Sequence, residues 1–414
     1  MARSSRVARF GAALTVAILM LAGVRLEAAT SVTIAWDPNP EPEVTGYLVL
    51  YGTQPGVYSG RVDVGVRTEC TLLSIPEGTY YITVEAYTAD GIISAPAAEI
   101  TTVVKNRLLP TTAAPDFDGD RRSDLVLWHA STGQWSRLSS KTGLTEVPDS
   151  GMRFGGLGDV PLSGDIDGDR VADLIVWRGS TGTFYWLTSS SGYTAGGSQQ
   201  WGIQSLGDMP MLGDLDGDGA SDLIVWRPST GMWYWLTSSS GYNRSFPGSV
   251  AFGSGTMGDV PLIGDFDGDG RADISVWRPA DGTFYWLTSS TNFSYAGARA
   301  KQWGAAWLGD TPMLGDFDGD AKSDLVVWRA STGMWYWVSS SSGYSNSAGR
   351  NVLFGSQSVG DQPFLADVDG DGKADPCVWR AITNMWYVLY SSSGYTNVAA
   401  RYLAGGAGDV PVVK

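Results

Sequence analysis

Only one histidine, His129, and two cysteines, Cys70 and Cys377, occur in 414 residues. That scarcity excludes a multi-histidine zinc centre, a Ser-His-Asp arrangement repeated through the chain, and a disulfide framework. Charged residues make up 17% of the chain and form no basic run or basic motif, so no nucleic-acid partner is expected. No long stretch with helical period follows residue 30. What is abundant instead is glycine (54), tryptophan (18) and tyrosine (18). A chain of this kind, long enough for two or three domains, is expected to be all-β.

The acidic residues are not scattered. A D-x-D-G-D-x-x-x-D frame begins at Asp116, Asp165, Asp214, Asp265, Asp316 and Asp367, at spacings of 49, 49, 51, 51 and 51 residues. Its aspartates are Asp116, Asp118, Asp120 and Asp124; Asp165, Asp167, Asp169 and Asp173; Asp214, Asp216, Asp218 and Asp222; Asp265, Asp267, Asp269 and Asp273; Asp316, Asp318, Asp320 and Asp324; and Asp367, Asp369, Asp371 and Asp375. Four carboxylates in nine residues repel one another unless a hard cation neutralises them, and an all-oxygen set of this density suits calcium, up to six ions in all. Glycine at position 4 lets the backbone turn back so that the carboxylates converge, and position 7 is expected to offer its backbone carbonyl. The frame is not an EF-hand. Its twelfth position is Leu127, Val176, Val225, Val276, Val327 or Val378, inside an apolar run, where an EF-hand needs glutamate. The loops hold 24 of the 43 acidic residues; six dications would contribute +12 to a net charge of −15 and leave about −3. The acidity therefore reads as metal-site charge.

Taken in order, residues 1–28 have the composition of a secretory signal: Arg3, Arg6 and Arg9, then an apolar stretch over 10–24, then small residues at Ala28 and Ala29. The apolar stretch is short for a membrane span, and the mature chain is expected to have none. Residues 30–104 alternate in strand fashion (Val32, Ile34, Trp36; Tyr47, Val49, Tyr51; Tyr80, Ile82, Val84, Ala86) with turns at Asp37-Pro38-Asn39-Pro40, Pro76-Glu77-Gly78 and Asp90-Gly91. About seven short strands fit an Ig-like β-sandwich. With Trp36 on an early strand, the Gly46-Tyr47 pair and a Pro76-x-Gly-Thr-Tyr80 corner, the segment resembles a fibronectin type III domain. The resemblance makes Tyr80 a corner tyrosine bonding back to the backbone. Residues 105–115 form a linker.

From 116 to 414 each unit contains four strand-like pieces. In the fourth unit these are 260–263, 274–277, 283–287 and a piece ending near Gln302-Trp303-Gly304. Four strands per ~50-residue unit indicate β-propeller blades. The first unit lacks the G-D-x-P strand that precedes the other Asp loops, and Gly408-Asp409-Val410-Pro411 supplies that strand at the other end. The expectation is a six-bladed propeller of four-stranded blades closed by the C-terminal strand. The Asp loops, together with Phe154-Gly155, Trp201-Gly202, Phe252-Gly253, Trp303-Gly304 and Phe354-Gly355 and the G-D-x-P that follows them, resemble the FG-GAP (VCBS-type) repeats of integrin α-subunit heads and exported bacterial proteins. The resemblance implies calcium in the loops.

Two ligand surfaces compete. On one face a Trp-Arg pair recurs: Trp177-Arg178, Trp226-Arg227, Trp277-Arg278, Trp328-Arg329 and Trp379-Arg380, with Trp128-His129 in the first unit. These residues either form aromatic and guanidinium pockets for sugar rings or are architecture, each arginine pairing with a G-D-x-P aspartate (Asp159, Asp208, Asp259, Asp310, Asp361; Asp409) and stapling neighbouring blades. The rival surface is the variable Ser/Gly/Tyr loops around 191–199, 242–249 and 295–301, on the Asp-loop face. No catalytic role is expected, since nearly every aspartate belongs to the repeat; Glu146 and Asp149 are the nearest unrepeated acidic pair. Cys377 reads as a small buried hydrophobe. The sequence points to a secreted or cell-surface calcium-binding protein that binds an extracellular glycan or protein. A polysaccharide-degrading enzyme or a structural surface component is the alternative.

Overall fold

The computed structural model describes residues 32–72, 78–104, 115–146, 152–406 and 408–412. The signal-like segment, nearly all of the linker, Pro76, Asp149 and the side chain of Glu146 lie outside these. The chain divides into two compact units, residues 1–107 and 108–414. The described residues contain strands and short 3-10 turns but no α-helix, and among them no helix is long and apolar enough to cross a membrane.

The first unit has six described strands rather than about seven. Gly60–Gly65, Val44–Gly52, Gly78–Thr88 and Ile100–Val104 form one sheet in that spatial order, and Val32–Ala35 pairs with Glu69–Leu72 in another. Alternation places Tyr80, Ile82, Val84 and Ala86 in the core with Trp36, Tyr47 and Val49. Trp36 meets Tyr47 edge-on at 5.5 Å, and the Tyr47 hydroxyl accepts a bond from the Asn39 N–H at 2.7 Å. Tyr80 is buried beside Tyr51; Pro76, which opens the corner it was assigned to, is outside the described residues.

The second unit is a run of six four-stranded antiparallel sheets. In the second repeat these are Asp159–Gly164, Asp173–Arg178, Thr183–Leu187 and Gly196–Gln200, each paired with the next. The four repeats that follow are built the same way. In the first repeat Leu125–His129, Gln134–Ser139 and Thr145–Glu146 pair in sequence, and Val410–Val412 supplies the remaining strand against Leu125–His129, with Val410 opposite Trp128 and Val412 opposite Val126. The C-terminal segment thus completes the first sheet.

The second strand of each sheet is a continuous apolar run because both of its faces are covered. In Asp273–Arg278 only the arginine escapes burial. Between repeats 4 and 5, Leu262, Phe266, Trp277 and Phe284 pack against Leu314, Leu325, Val327 and Val338. The second tryptophan of each W-Y-W segment reaches the next repeat, as Trp235 does to Phe293 at 5.1 Å and Trp337 to Tyr395 at 5.4 Å. Cys70 and Cys377 are both buried free thiols. Pro376 keeps its place in Asp375–Arg380 but removes one rung: pairing with the third strand begins at Cys377–Val388, whereas Leu325 pairs with Val338 in repeat 5.

Candidate metal centres

Each Asp loop is folded by its own first and ninth carboxylates. In repeat 4, Asp265 Oδ1 accepts the Gly268 N–H at 2.6 Å and Oδ2 the Gly270 N–H at 2.9 Å. Both glycines lie at positive φ, 77° and 80°, which the tight reversal requires. Asp269 Oδ1 accepts the Arg271 N–H at 2.9 Å. Asp273 is wholly buried, accepting the Phe266 N–H at 2.8 Å and the Ser289 N–H at 2.7 Å. The equivalents of positions 1 and 9 make the same bonds in the other repeats.

Carboxylate oxygens converge within 4.8 Å in the first five repeats: from Asp116, Asp118 and Asp124; Asp165, Asp167 and Asp173; Asp214, Asp216 and Asp218; Asp265, Asp267 and Asp269; and Asp316, Asp318 and Asp320. Position 3 is the telling one. Its Oδ2 accepts a hydroxyl from the loop between the third and fourth strands, Ser190, Ser239, Ser290, Ser341 or Ser392, and in the first repeat from Ser139 at the end of the third strand. Its Oδ1 is buried and meets no donor in Asp118, Asp216, Asp267, Asp318 and Asp369. An orphaned buried carboxylate oxygen is costly, and one close to other carboxylates is a place for a cation. The donor set is all oxygen, which fits a hard dication. Burial also pushes the ninth carboxyl up, to about 6 in Asp124 and Asp173 and about 7 in Asp222, Asp273, Asp324 and Asp375. Without a cation these groups are held against their charged form.

The loops are also tied to one another. The position 8 N–H donates to the position 1 carbonyl of the preceding repeat: Ala172 to Asp116, Ser221 to Asp165, Ala272 to Asp214, Ser323 to Asp265 and Ala374 to Asp316, at 2.5–2.6 Å. Ser123 donates to Asp367 at 2.7 Å, so the series returns from the sixth repeat to the first. Tyr193, Tyr242 and Tyr344 of the S-S-S-G-Y segments donate to the carbonyls of the same position 8 residues, as Tyr242 does to Ser221 at 2.8 Å, whereas Tyr395 reaches the Phe317 carbonyl at 3.5 Å. Sequence reasoning put both sets of loops on one face but missed that the serines touch the aspartates. The recurring S-S-S-G-Y was the available signal.

The Trp-Arg residues are engaged inside the sheets. Trp177, Trp226, Trp277, Trp328 and Trp379 are at most 3% exposed, which leaves no indole face for a sugar. The first four donate to the carbonyl of the Phe-Gly or Trp-Gly pair. Arg178, Arg227, Arg278, Arg329 and Arg380 each make a two-pronged pair with Asp159, Asp208, Asp259, Asp310 and Asp361, at 2.7–3.0 Å. They also lie over Tyr185, Tyr234, Tyr285, Tyr336 and Tyr387 at 4.7–5.0 Å. The pair joins strands one and two of the same sheet, since Asp159 is opposite Arg178; it does not staple neighbouring blades. The same aspartate also accepts a backbone N–H from the connection that leads into its strand, Ile203 to Asp208 at 2.7 Å.

Beside the fifth and sixth Asp loops lies a groove of about 440 Å³ lined by Phe317, Trp337, Arg350, Asn351, Lys373 and Tyr395. Phe317 stacks on Trp337 at 4.8 Å, and Tyr395 meets that indole edge-on at 5.4 Å. Phe317 and Trp337 are themselves buried, so the surface open to a ligand is that of Arg350, Asn351, Lys373 and Tyr395, whose guanidinium, amide and ammonium donors suit a hydroxyl-rich ligand.

Three overlapping stretches, 214–276, 265–327 and 316–378, match the FG-GAP-like repeat family. No curated protein sequence matches significantly. Similar solved structures include an auxiliary nutrient binding protein from Bacteroides ovatus (10% identity, 93% of this chain and 86% of that one, TM-score 0.41). AztD from Citrobacter koseri is similar at 10% identity, 89% and 98% coverage and TM-score 0.38. A quinonprotein alcohol dehydrogenase-like protein from Bacteroides thetaiotaomicron is similar at 11%, 94%, 94% and 0.34. The matched repeats, with the run of four-stranded sheets, support a β-propeller.

Proposed function

We propose that this chain is an exported, calcium-loaded six-bladed β-propeller, preceded by a fibronectin type III-like sandwich, that acts as a binding module for extracellular glycans or proteins. The observation that carries it is the orphaned position 3 oxygen, found buried among carboxylates in five of the repeats. Calcium at these loops supplies the missing positive charge and fixes the serine loops above them. Those loops and the groove by Trp337 and Arg350 form the ligand surface, so binding depends on the cation. Export rests on the basic-then-apolar composition of residues 1–28. The test is a glycan array of the folded protein with calcium and with chelator, repeated with Arg350→Ala. Calcium-dependent binding lost in the variant supports the reading. Binding that survives chelation and the variant alike overturns the assigned surface.

A further inference from the structure

Five repeats end their second strand with an arginine lying over a tyrosine and paired with an aspartate. The first repeat replaces both partners at once. His129 stands at the arginine position, and Ser136, opposite Leu127, stands where Tyr185 lies opposite Val176. Asp409 takes the aspartate's place from the far end of the chain. Asp409 Oδ2 is 2.7 Å from His129 Nδ1, and Ser136 Oγ is 2.9 Å from His129 Nε2. The carboxylate is 5% exposed and is held by the Gly406 N–H at 2.5 Å; the imidazole is 16% exposed. A carboxylate on Nδ1 selects the tautomer whose Nε2 accepts the serine hydroxyl. Without the phenol ring, Ser136 remains partly open to solvent.

We infer that Ser136, His129 and Asp409 form a nucleophilic centre able to transfer the acyl group of a small activated ester. Ser136 Oγ attacks the ester carbonyl, forming a C–O bond as its proton passes to His129 Nε2. Collapse of the adduct breaks the bond to the leaving alkoxide, which takes that proton and departs as the alcohol. Water then attacks the acylated serine and gives a proton to His129. The carboxylic acid leaves and the proton returns to Ser136 Oγ. Ser136 and His129 are catalytic residues; Asp409 is a positioning residue that also stabilises the imidazolium. The centre is independent of the metal loops and of the groove.

The test treats the full chain with a fluorophosphonate probe, maps the adduct by peptide mass spectrometry, and follows p-nitrophenyl acetate hydrolysis. The expected result is one adduct, on Ser136, with both signals lost in Ser136→Ala. The double variant His129→Arg, Ser136→Tyr installs the pair that the other repeats carry. It should keep the parent's melting temperature while labelling is lost as it is in Ser136→Ala. Asp409→Asn should slow labelling and lower kcat for p-nitrophenyl acetate with KM and melting temperature unchanged; a purely structural role would lower the melting temperature instead. A folded parent that is unlabelled, labelling spread over many serines, or a double variant as reactive as the parent overturns the inference.

Discussion

Asp208 carries a side chain with no solvent exposure, and Arg227 is the only cation paired with it among the described residues. Taking the guanidinium away strands a buried charge, so Arg227→Ala should cost about 3–5 kcal/mol in urea unfolding. Arg227→Met combined with Asp208→Asn should cost less, because the charge goes with its partner. A single variant no worse than the double would show that the pair is not desolvated in solution. The ninth carboxyls give a second residue-scale expectation. Burial raises Asp222 from 3.8 to about 7 and Asp173 to about 6. An acid whose folded value is raised contributes stability that is complete below its unfolded value and is lost as pH rises through the folded one. The chelated protein should therefore melt several degrees higher at pH 5 than at pH 8, and calcium should flatten or reverse that slope. A chelated protein whose melting point falls steadily from pH 8 to pH 5 would contradict it.

At the scale of the element, two repeats depart from the pattern and predict their own behaviour. Pro376 occupies the place of Leu325 and forfeits a rung. Pro376→Leu should restore the bond with the third strand and raise stability by about 0.5–1.5 kcal/mol, measured by urea unfolding; no gain would mean that the strand has adapted to the proline. In the first loop Arg137 Nη1 lies 3.9 Å from Asp124 and donates to the Phe117 carbonyl at 2.7 Å. That guanidinium already offsets part of the charge, so Arg137→Gln should tighten the cation at this loop in a titration followed by terbium luminescence. The strands and the Asp loops were legible in the sequence because each repeats in register six times over, and the aspartate partners of the arginines because they recur five times. What was not legible depended on contacts between segments far apart in the chain. The Ser290 hydroxyl on Asp267 spans 23 residues, and the His129–Asp409 bond spans 280. The orientation of the Trp-Arg pairs was also open, since only the register of Asp159 against Arg178 shows that the pair lies within one sheet.

For the second unit as a whole, the decisive contacts are those that join its two ends. Val410–Val412 pairs with Leu125–His129, and Ser123 bonds the Asp367 carbonyl. Were the C-terminal strand removed, Leu125–His129 would become an open edge flanked by buried apolar residues, the arrangement that recruits a strand from another chain. Deleting residues 409–414 should lower the melting temperature by something on the order of 10 °C and produce dimers or larger species that grow with protein concentration in size-exclusion chromatography. Calcium should not rescue the variant, because the metal loops are intact and the missing bonds are backbone ladder bonds. A synthetic peptide of the deleted sequence preceded by Gly408 should restore the monomer, since it can re-form the same three pairs. A deletion variant that stays monomeric and melts with the parent would mean that the first and last repeats hold together without this strand, and that the loop-to-loop bonds alone close the series.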